Sequence, residues 1–405
     1  MKRNFLKVTV LMLAVLMILA ACGNGNGNGA IEANDDNDAN DNEVVVADAM
    51  RIGGIAPLTG GAAFFGMSAR DGATLAFEQV NEAGGLLGQN VNFIVHDDEG
   101  AIPVSLAVYE RLVYDDQVVA IVGPVTSGPA NAVADRATEH ALPMISPTAT
   151  AEAVTRDRDF MFRACFLDAV QAYTIAYFAK NHLEADTAAI LFNNAMDYSR
   201  GLAENFAIFF EEMGGTITSS LAYSTGDVDF RAQLTTIAAT EPDVLFLPEY
   251  VNTVALKAVQ AREADIEAIL LGADGWEGVL GALDDPAILD GSFYSAHFAI
   301  DDPNPIVQYF VSSFTARFGA PPNSFSALGF DAASLMAQAI AAAGNTDSAA
   351  VIDAMQNIYF EGVTGSITFD EQGNPIKPTV IIAVDTIGGE TAARLYHRFE
   401  ADYFN

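Results

Sequence analysis

From residue 50 onward, short β-branched runs and stretches of helical period take turns with a regularity that few architectures accommodate. Residues 50–56 read as a strand, Pro57-Leu58-Thr59-Gly60-Gly61 as a turn, and Ala69, Ala73, Ala76, Val80 and Ala83 fall on one helix face that Gly84-Gly85 terminates. The pattern repeats with strands at 91–95, 118–122 and 142–145, separated by helices at 104–114, with Pro103 at its start, and at 127–140. After a further run at 160–166 it resumes: helices near 170–180, 199–213, 230–239 and 253–264 alternate with strands at 188–192, 216–222, 244–247 and 268–271. Alternation of this length implies parallel sheets covered by helices on both faces. Roughly nine strands exceed what one open sheet usually holds, so two sheets are expected. Ligands of such sheets bind at the carboxyl ends of the strands, which directs attention to the loops at 57–66, 123–127, 146–150, 193–199, 248–252 and 272–277.

The first 49 residues are of another kind. Lys2, Arg3 and Lys7 precede a mostly apolar run at 8–21, short for a bilayer span, and Leu19-Ala20-Ala21-Cys22 closes it like a bacterial lipobox. Residues 1–21 read as a lipoprotein signal peptide with Cys22 as the lipidated residue, in preference to an uncleaved anchor helix. Residues 22–49, first alternating Gly and Asn and then rich in Asp and Asn, cannot bury a core and read as an acidic tether. Their acids lack the glycine that a calcium loop needs at its sixth position.

The chain of 405 residues carries 53 acids against 19 bases, a formal charge of −34. A field of that sign repels nucleic acid and is best tolerated where salt screens it, as in a saline habitat. With Cys22 assigned to lipid, Cys165 has no disulfide partner, and its apolar surroundings mark a buried, inert thiol.

Chemistry-bearing patterns are sparse. Gly123-Pro124-Val125-Thr126-Ser127-Gly128 has the outer glycines of a phosphate loop but continues Pro129-Ala130, where lysine and a hydroxyl residue are needed. Ser127 either caps the helix it begins or, with the following backbone N–H groups, receives a carboxylate. The hydroxyls of Ser146-Pro147-Thr148-Ala149-Thr150 lie on the neighbouring strand end. His96, His140, His182, His297 and His397 have no metal-ligand spacing and read as surface or strand-end residues, and no nucleophile–base pair is evident, so no enzymatic activity is expected.

Several motifs in order resemble the branched-chain amino acid substrate-binding proteins of ABC transporters, the leucine/isoleucine/valine-binding family. They are Ile55-Ala56-Pro57-Leu58-Thr59-Gly60, Asn81-Glu82-Ala83-Gly84-Gly85-Leu86-Leu87-Gly88, the segment Val122 to Gly128, Pro143-Met144-Ile145-Ser146-Pro147-Thr148-Ala149-Thr150, and Phe162-Arg163 through Asp168 and Gln171. The resemblance implies an α/β, two-lobed type I periplasmic-binding-protein fold. Each lobe would be a doubly wound parallel sheet, with three inter-lobe crossovers near Leu167, Phe298 and Thr368. Lobe 1 would comprise residues 50–167 and 299–366, and lobe 2 residues 168–298 and 367–405.

By the same resemblance Ser127 and Thr150 take a ligand carboxylate and Thr148 offers backbone groups. Asp274 pairs with an α-ammonium, Tyr198 and Tyr250 are contributed by lobe 2, and Phe65 stands where a tyrosine is familiar. Trp276, the only tryptophan, either walls the side-chain pocket or packs beneath it. The implied function is an extracytoplasmic, lipid-anchored binding protein that delivers a small, branched-chain or aliphatic amino acid to ABC permease subunits, with no cofactor and no metal. A ligand-sensing receptor on the same fold is the alternative, and amides, urea derivatives or aromatic acids are alternative ligands.

Overall fold

The computed structural model describes residues 49–401, so the expected signal peptide, Cys22 and nearly all of the expected tether lie outside the described residues. Strand–helix alternation builds lobe 1 first: β1 (Met50–Ala56), α1 (Ala63–Glu82), β2 (Val91–Asp97), α2 (Ile102–Tyr114), β3 (Ala120–Val122), α3 (Ser127–His140), β4 (Met144–Ser146) and β5 (Met161–Arg163). The five strands pair in the order β2-β1-β3-β4-β5, all parallel.

The chain then leaves for lobe 2 with α4 (Asp168–Asn181), β6 (Thr187–Asn193), α5 (Asp197–Glu212), β7 (Thr216–Tyr223), α6 (Arg231–Ala238), β8 (Val244–Phe246), α7 (Val251–Glu263), β9 (Ile269–Gly272) and β10 (Ser292–Ala296). It returns to lobe 1 as α8 (Pro305–Phe318), α9 (Ser324–Ala343) and α10 (Ser348–Gln356), whose starts are set by side-chain caps from Asn304, Asn323 and Asp347. α9 is long and apolar enough to cross a membrane, but it is a core helix. Its Leu328, Leu335, Met336 and Ile340 pack with Ile52, Val122 and Ile145, and each such side chain contributes about 1.5–3 kcal/mol of burial.

Two features of the C-terminal part depart from expectation. The strands β11 (Phe360–Gly362), β12 (Gly365–Phe369) and β13 (Pro375–Ile376) form a small antiparallel sheet, so residues 370–374 turn back instead of crossing. The third passage therefore falls at Lys377-Pro378, not near Thr368, and lobe 2 resumes with β14 (Thr379–Ile387) and β15 (Glu390–Phe399). These add an antiparallel hairpin to the otherwise parallel sheet of lobe 2, which runs β15-β14-β10-β9-β8-β6-β7. The first two passages run through residues 164–167 and 297–304.

The passages are tied together by buried polar contacts. Lys377, 2% exposed, donates to Ala164 O at 3.1 Å and to the Thr364 hydroxyl, and the His297 ring stacks on Phe166 with centroids 3.6 Å apart. Asp331 on α9 accepts the Val363 and Thr364 N–H groups, each at 2.8 Å, and the Thr364 hydroxyl at 2.6 Å. A buried ammonium and carboxylate thus share one threonine where the chain crosses, and loss of either would leave the other unpaired.

Candidate functional site

Four helices, α3, α4, α5 and α7, begin directly after strands or crossovers and turn their N-termini toward the space between the lobes, as the doubly wound topology requires. The lobes meet there. Phe65 from α1 of lobe 1 lies edge-on to Tyr250 of lobe 2 with centroids 5.3 Å apart, and it stacks on Phe325 of α9 at 4.4 Å.

On the lobe 1 side, Ser127 starts α3 and its Oγ accepts the Ala151 N–H at 3.3 Å, tying the helix start to the loop after β4. The Thr148 hydroxyl is spent on Val125 O at 2.6 Å, so this residue can offer a ligand only its backbone. Beneath the loop the buried guanidinium of Arg163 donates to Ala149 O at 2.9 Å and to Ala151 O at 3.0 Å. Those carbonyls are thereby turned inward, leaving Thr150 directed to the other side. The Thr150 hydroxyl lies against the carboxyl of Asp168, the first residue of α4, and Thr150 O accepts the Asp168 N–H at 3.0 Å.

On the lobe 2 side, Asp274 follows β9 and is 3% exposed. Its Oδ1 accepts the Tyr198 hydroxyl at 2.8 Å, and that hydroxyl in turn accepts the Gly275 N–H at 2.9 Å. Glycine is needed at 275 because an added Cβ would stand 2.6 Å from Glu249 O and 2.8 Å from the Tyr198 oxygen. Oδ2 faces His297 Nε2 at 3.4 Å. Burial pushes the His297 pKa down to about 4, so the imidazole is neutral at pH 7 and acts as a dipolar neighbour. Tyr198 stacks on Tyr250 with centroids 5.0 Å apart, and burial raises both phenol pKa values, keeping them as neutral donors.

Within lobe 2, Gln171 links Asp168 to the Asp274 loop, while the contact between Thr150 and Asp168 joins the two lobes. Its amide nitrogen donates to Asp168 Oδ1 at 3.0 Å, while its oxygen accepts the Asp274 N–H at 3.2 Å and the Ser295 hydroxyl at 3.1 Å. From Thr150 through Asp168, Gln171, Asp274, Tyr198 and Tyr250 to Phe65 the contacts form a continuous chain between the lobes, and Ser127 is tied to the same loop through Ala151. The Ser127 and Thr150 hydroxyls lie on the lobe 1 side with the Asp168 carboxyl beside Thr150, and Asp274 with the Tyr198 hydroxyl lies farther along on the lobe 2 side. Such a layout can hold an anion and a cation of one molecule at a fixed separation.

Trp276 does not join this chain. It is fully buried, its indole N–H donates to Leu247 O at 2.9 Å, and its ring lies on Gly272, where an added Cβ would come within 2.2 Å. Of the two readings open for this residue, packing beneath the loop is the one the geometry supports. Sequence reasoning missed His297, filed among strand-end histidines, and Phe325, which carries no local signal. Asp168 and Gln171 were visible only as part of a motif, although an acid in the first turn of a helix after an apolar strand is itself a cue. Among the described residues no group of three His, Cys, Asp or Glu converges as a metal site.

A family model described as periplasmic binding protein matches residues 49–390. The Leu/Ile/Val-binding protein homolog 3 of Brucella melitensis is 30% identical over 335 residues, covering 81% of this chain and 89% of that protein. The leucine-binding protein LivK from Thermotoga maritima has a TM-score of 0.81 at 29% identity, covering 87% of this chain and 99% of the other. The branched-chain amino acid transporter substrate-binding protein LivJ from Streptococcus pneumoniae, in complex with isoleucine, has a TM-score of 0.79 at 28% identity, covering 86% and 99%. A solute-binding protein from R. palustris in complex with benzoate has a TM-score of 0.76 at 25% identity, covering 86% and 96%. With two doubly wound lobes, three crossovers and a polar cleft between them, the chain belongs to the periplasmic binding protein family, whose members serve as substrate-binding proteins of ABC transporters.

Proposed function

We propose that this protein captures a small aliphatic amino acid in the cleft and presents it, without covalent chemistry, to ABC permease subunits. The observation that carries the reading is that contacts run from Thr150 of lobe 1, beside Ser127, through Asp168 and Gln171 to Asp274 of lobe 2. The hydroxyls and the α3 N-terminus suit a carboxylate, and Asp274 with the Tyr198 hydroxyl suits an α-ammonium. Because the two ends belong to different lobes, a zwitterion stabilises closure more than either charge alone. Phe65, Tyr250 and Phe325 supply an apolar wall for an aliphatic side chain. Delivery outside the cytoplasm follows from the family, and attachment through lipidated Cys22 with residues 22–49 as a tether is part of the proposal. So is a lobe division in which lobe 2 resumes at Lys377.

A second reading is favoured by the number of aromatic rings around the cleft: an aromatic carboxylate would stack there and leave Asp274 without a ligand partner. Thermal-shift and native mass spectrometric screening of the full chain decides between them. Stabilisation by L-leucine, L-isoleucine, L-valine or L-alanine and not by benzoate supports the amino acid. Stabilisation by benzoate alone supports the second reading. No response to either class would overturn both.

A further inference from the structure

The reading above uses one of two buried carboxyl groups that face the cleft. Asp168, 2% exposed, has one oxygen on the Gln171 amide at 3.0 Å, and its Oδ2 has no well-formed hydrogen bond among the described residues. That oxygen lies between the lobes, beside the Thr150 hydroxyl on one side and the backbone of Gly201 in α5 on the other, where an added Cβ would be 3.6 Å away. Asp274 interacts with it through the dry interior, and Gln171 spans the two.

Cations near the pair are few. The Arg163 guanidinium faces Asp168 from β5; its terminal nitrogens are committed to the Ala149 and Ala151 carbonyls and the Thr155 hydroxyl, and its Nε–H has no partner among the described residues. His297 faces Asp274 from the second crossover as a neutral ring, and the Lys377 ammonium behind it is held by Ala164 O and Thr364. Tyr198 and Tyr250 face the pair as neutral phenols, and the Cys165 thiol, pushed up to about 12 by burial, is neutral as well. A carboxyl buried this deeply, with an unpartnered oxygen, keeps its proton, and that proton sits on Asp168. Burial first, and Asp274 second among the raising influences, push Asp168 up to about 8.

We propose that ligand capture is a proton exchange: the α-ammonium of the amino acid enters between Asp274 and Asp168 and displaces the proton held on the Asp168 carboxyl. The O–H bond of Asp168 breaks, its proton passes to solvent, and an N–H···O contact to the new carboxylate replaces it. The inference rests on the zwitterion reading given under Proposed function. It makes affinity rise with pH, because the ligand-bound state holds fewer protons than the free one.

Isothermal titration of the full chain with L-leucine and with L-isoleucine, in phosphate and in Tris at one pH near 7, counts the protons. The expected result is release of up to about one proton per ligand bound and a Kd that tightens by up to about tenfold per pH unit between about pH 5.5 and 7.5. Asp168→Asn should lose both the buffer dependence of the heat and the pH slope. Wild-type heats that do not change with buffer, together with a flat Kd, would overturn the exchange whether or not the variant folds. An Asp168→Asn protein that keeps the slope would assign the proton elsewhere and overturn it too. Binding of leucine without proton release removes this inference alone, whereas binding of benzoate with no response to either amino acid removes the zwitterion reading and this exchange with it.

Discussion

Replacing Asp274 by asparagine tests the ammonium site with little disturbance of the protein around it. The asparagine oxygen still accepts the Tyr198 hydroxyl that now lies 2.8 Å from Oδ1, and its amide can donate toward His297 Nε2, which is 3.4 Å from Oδ2. Only the charge is lost. In a cleft where this position is 3% exposed, an ammonium deprived of its carboxylate costs about 2–5 kcal/mol, as for truncated buried charge pairs. That corresponds to a Kd weakened roughly 30-fold to several thousand-fold. The melting temperature of the ligand-free protein should hold near wild type, because asparagine keeps the hydrogen bonds of this position and the neighbouring Asp168 is protonated there. Titration calorimetry with L-leucine measures the first quantity and thermal denaturation the second. A Kd within about threefold of wild type, with the fold intact, would refute the assignment of Asp274 to the ammonium.

Gly272→Ala should destabilise the protein by about 1–3 kcal/mol in urea denaturation, because its Cβ would fall 2.2 Å from the Trp276 ring in a packed core. Without ligand, stability should fall as pH rises toward 8. Asp168 keeps its proton in the folded state up to about 8 but loses it near 4 when unfolded, so its contribution is full below about pH 4 and is lost on passing 8. Melting curves across that range should flatten in Asp168→Asn. The excess of 53 acids over 19 bases predicts a melting temperature that climbs between low salt and about 1 M, and a flat profile would mean that the charges are already well dispersed. Cys22→Ser should release the protein from membranes or stop signal processing, which fractionation and intact mass will show.

Much of the fold was legible because helical and strand periods are local properties. The start of α3 at Ser127 follows from the change of period after an apolar strand, and the stop of α1 from Gly84-Gly85, where both residues have positive φ. The C-terminal hairpin was not legible. Its inner strand, β14, is buried over six consecutive residues and so shows no alternation, and its outer strand pairs only with that neighbour. The turn at 370–374 that delays the third crossover is held by Asp370, whose carboxylate accepts the Gln372 and Asn374 N–H groups at 2.9 and 2.8 Å. This is a local motif that could have been read from Asp370-Glu371-Gln372-Gly373-Asn374.

The candidate site divides in the same way. Sequence by itself determined which loops lie at strand ends, since the direction of a strand in a doubly wound sheet decides which of its loops faces a ligand, and drew attention to the hydroxyls of Ser127, Thr148 and Thr150, while Tyr198, Tyr250 and Asp274 came forward through the family resemblance. Tertiary structure alone decided that Trp276 packs under its loop, that His297 leaves the scattered histidines to face Asp274, and that Asp168 and Asp274 share one dry cleft. The physical reason is that these outcomes depend on distances between residues far apart in the chain and on the absence of water around them. Burial and Coulomb interaction act through space, and no spacing along the sequence encodes them.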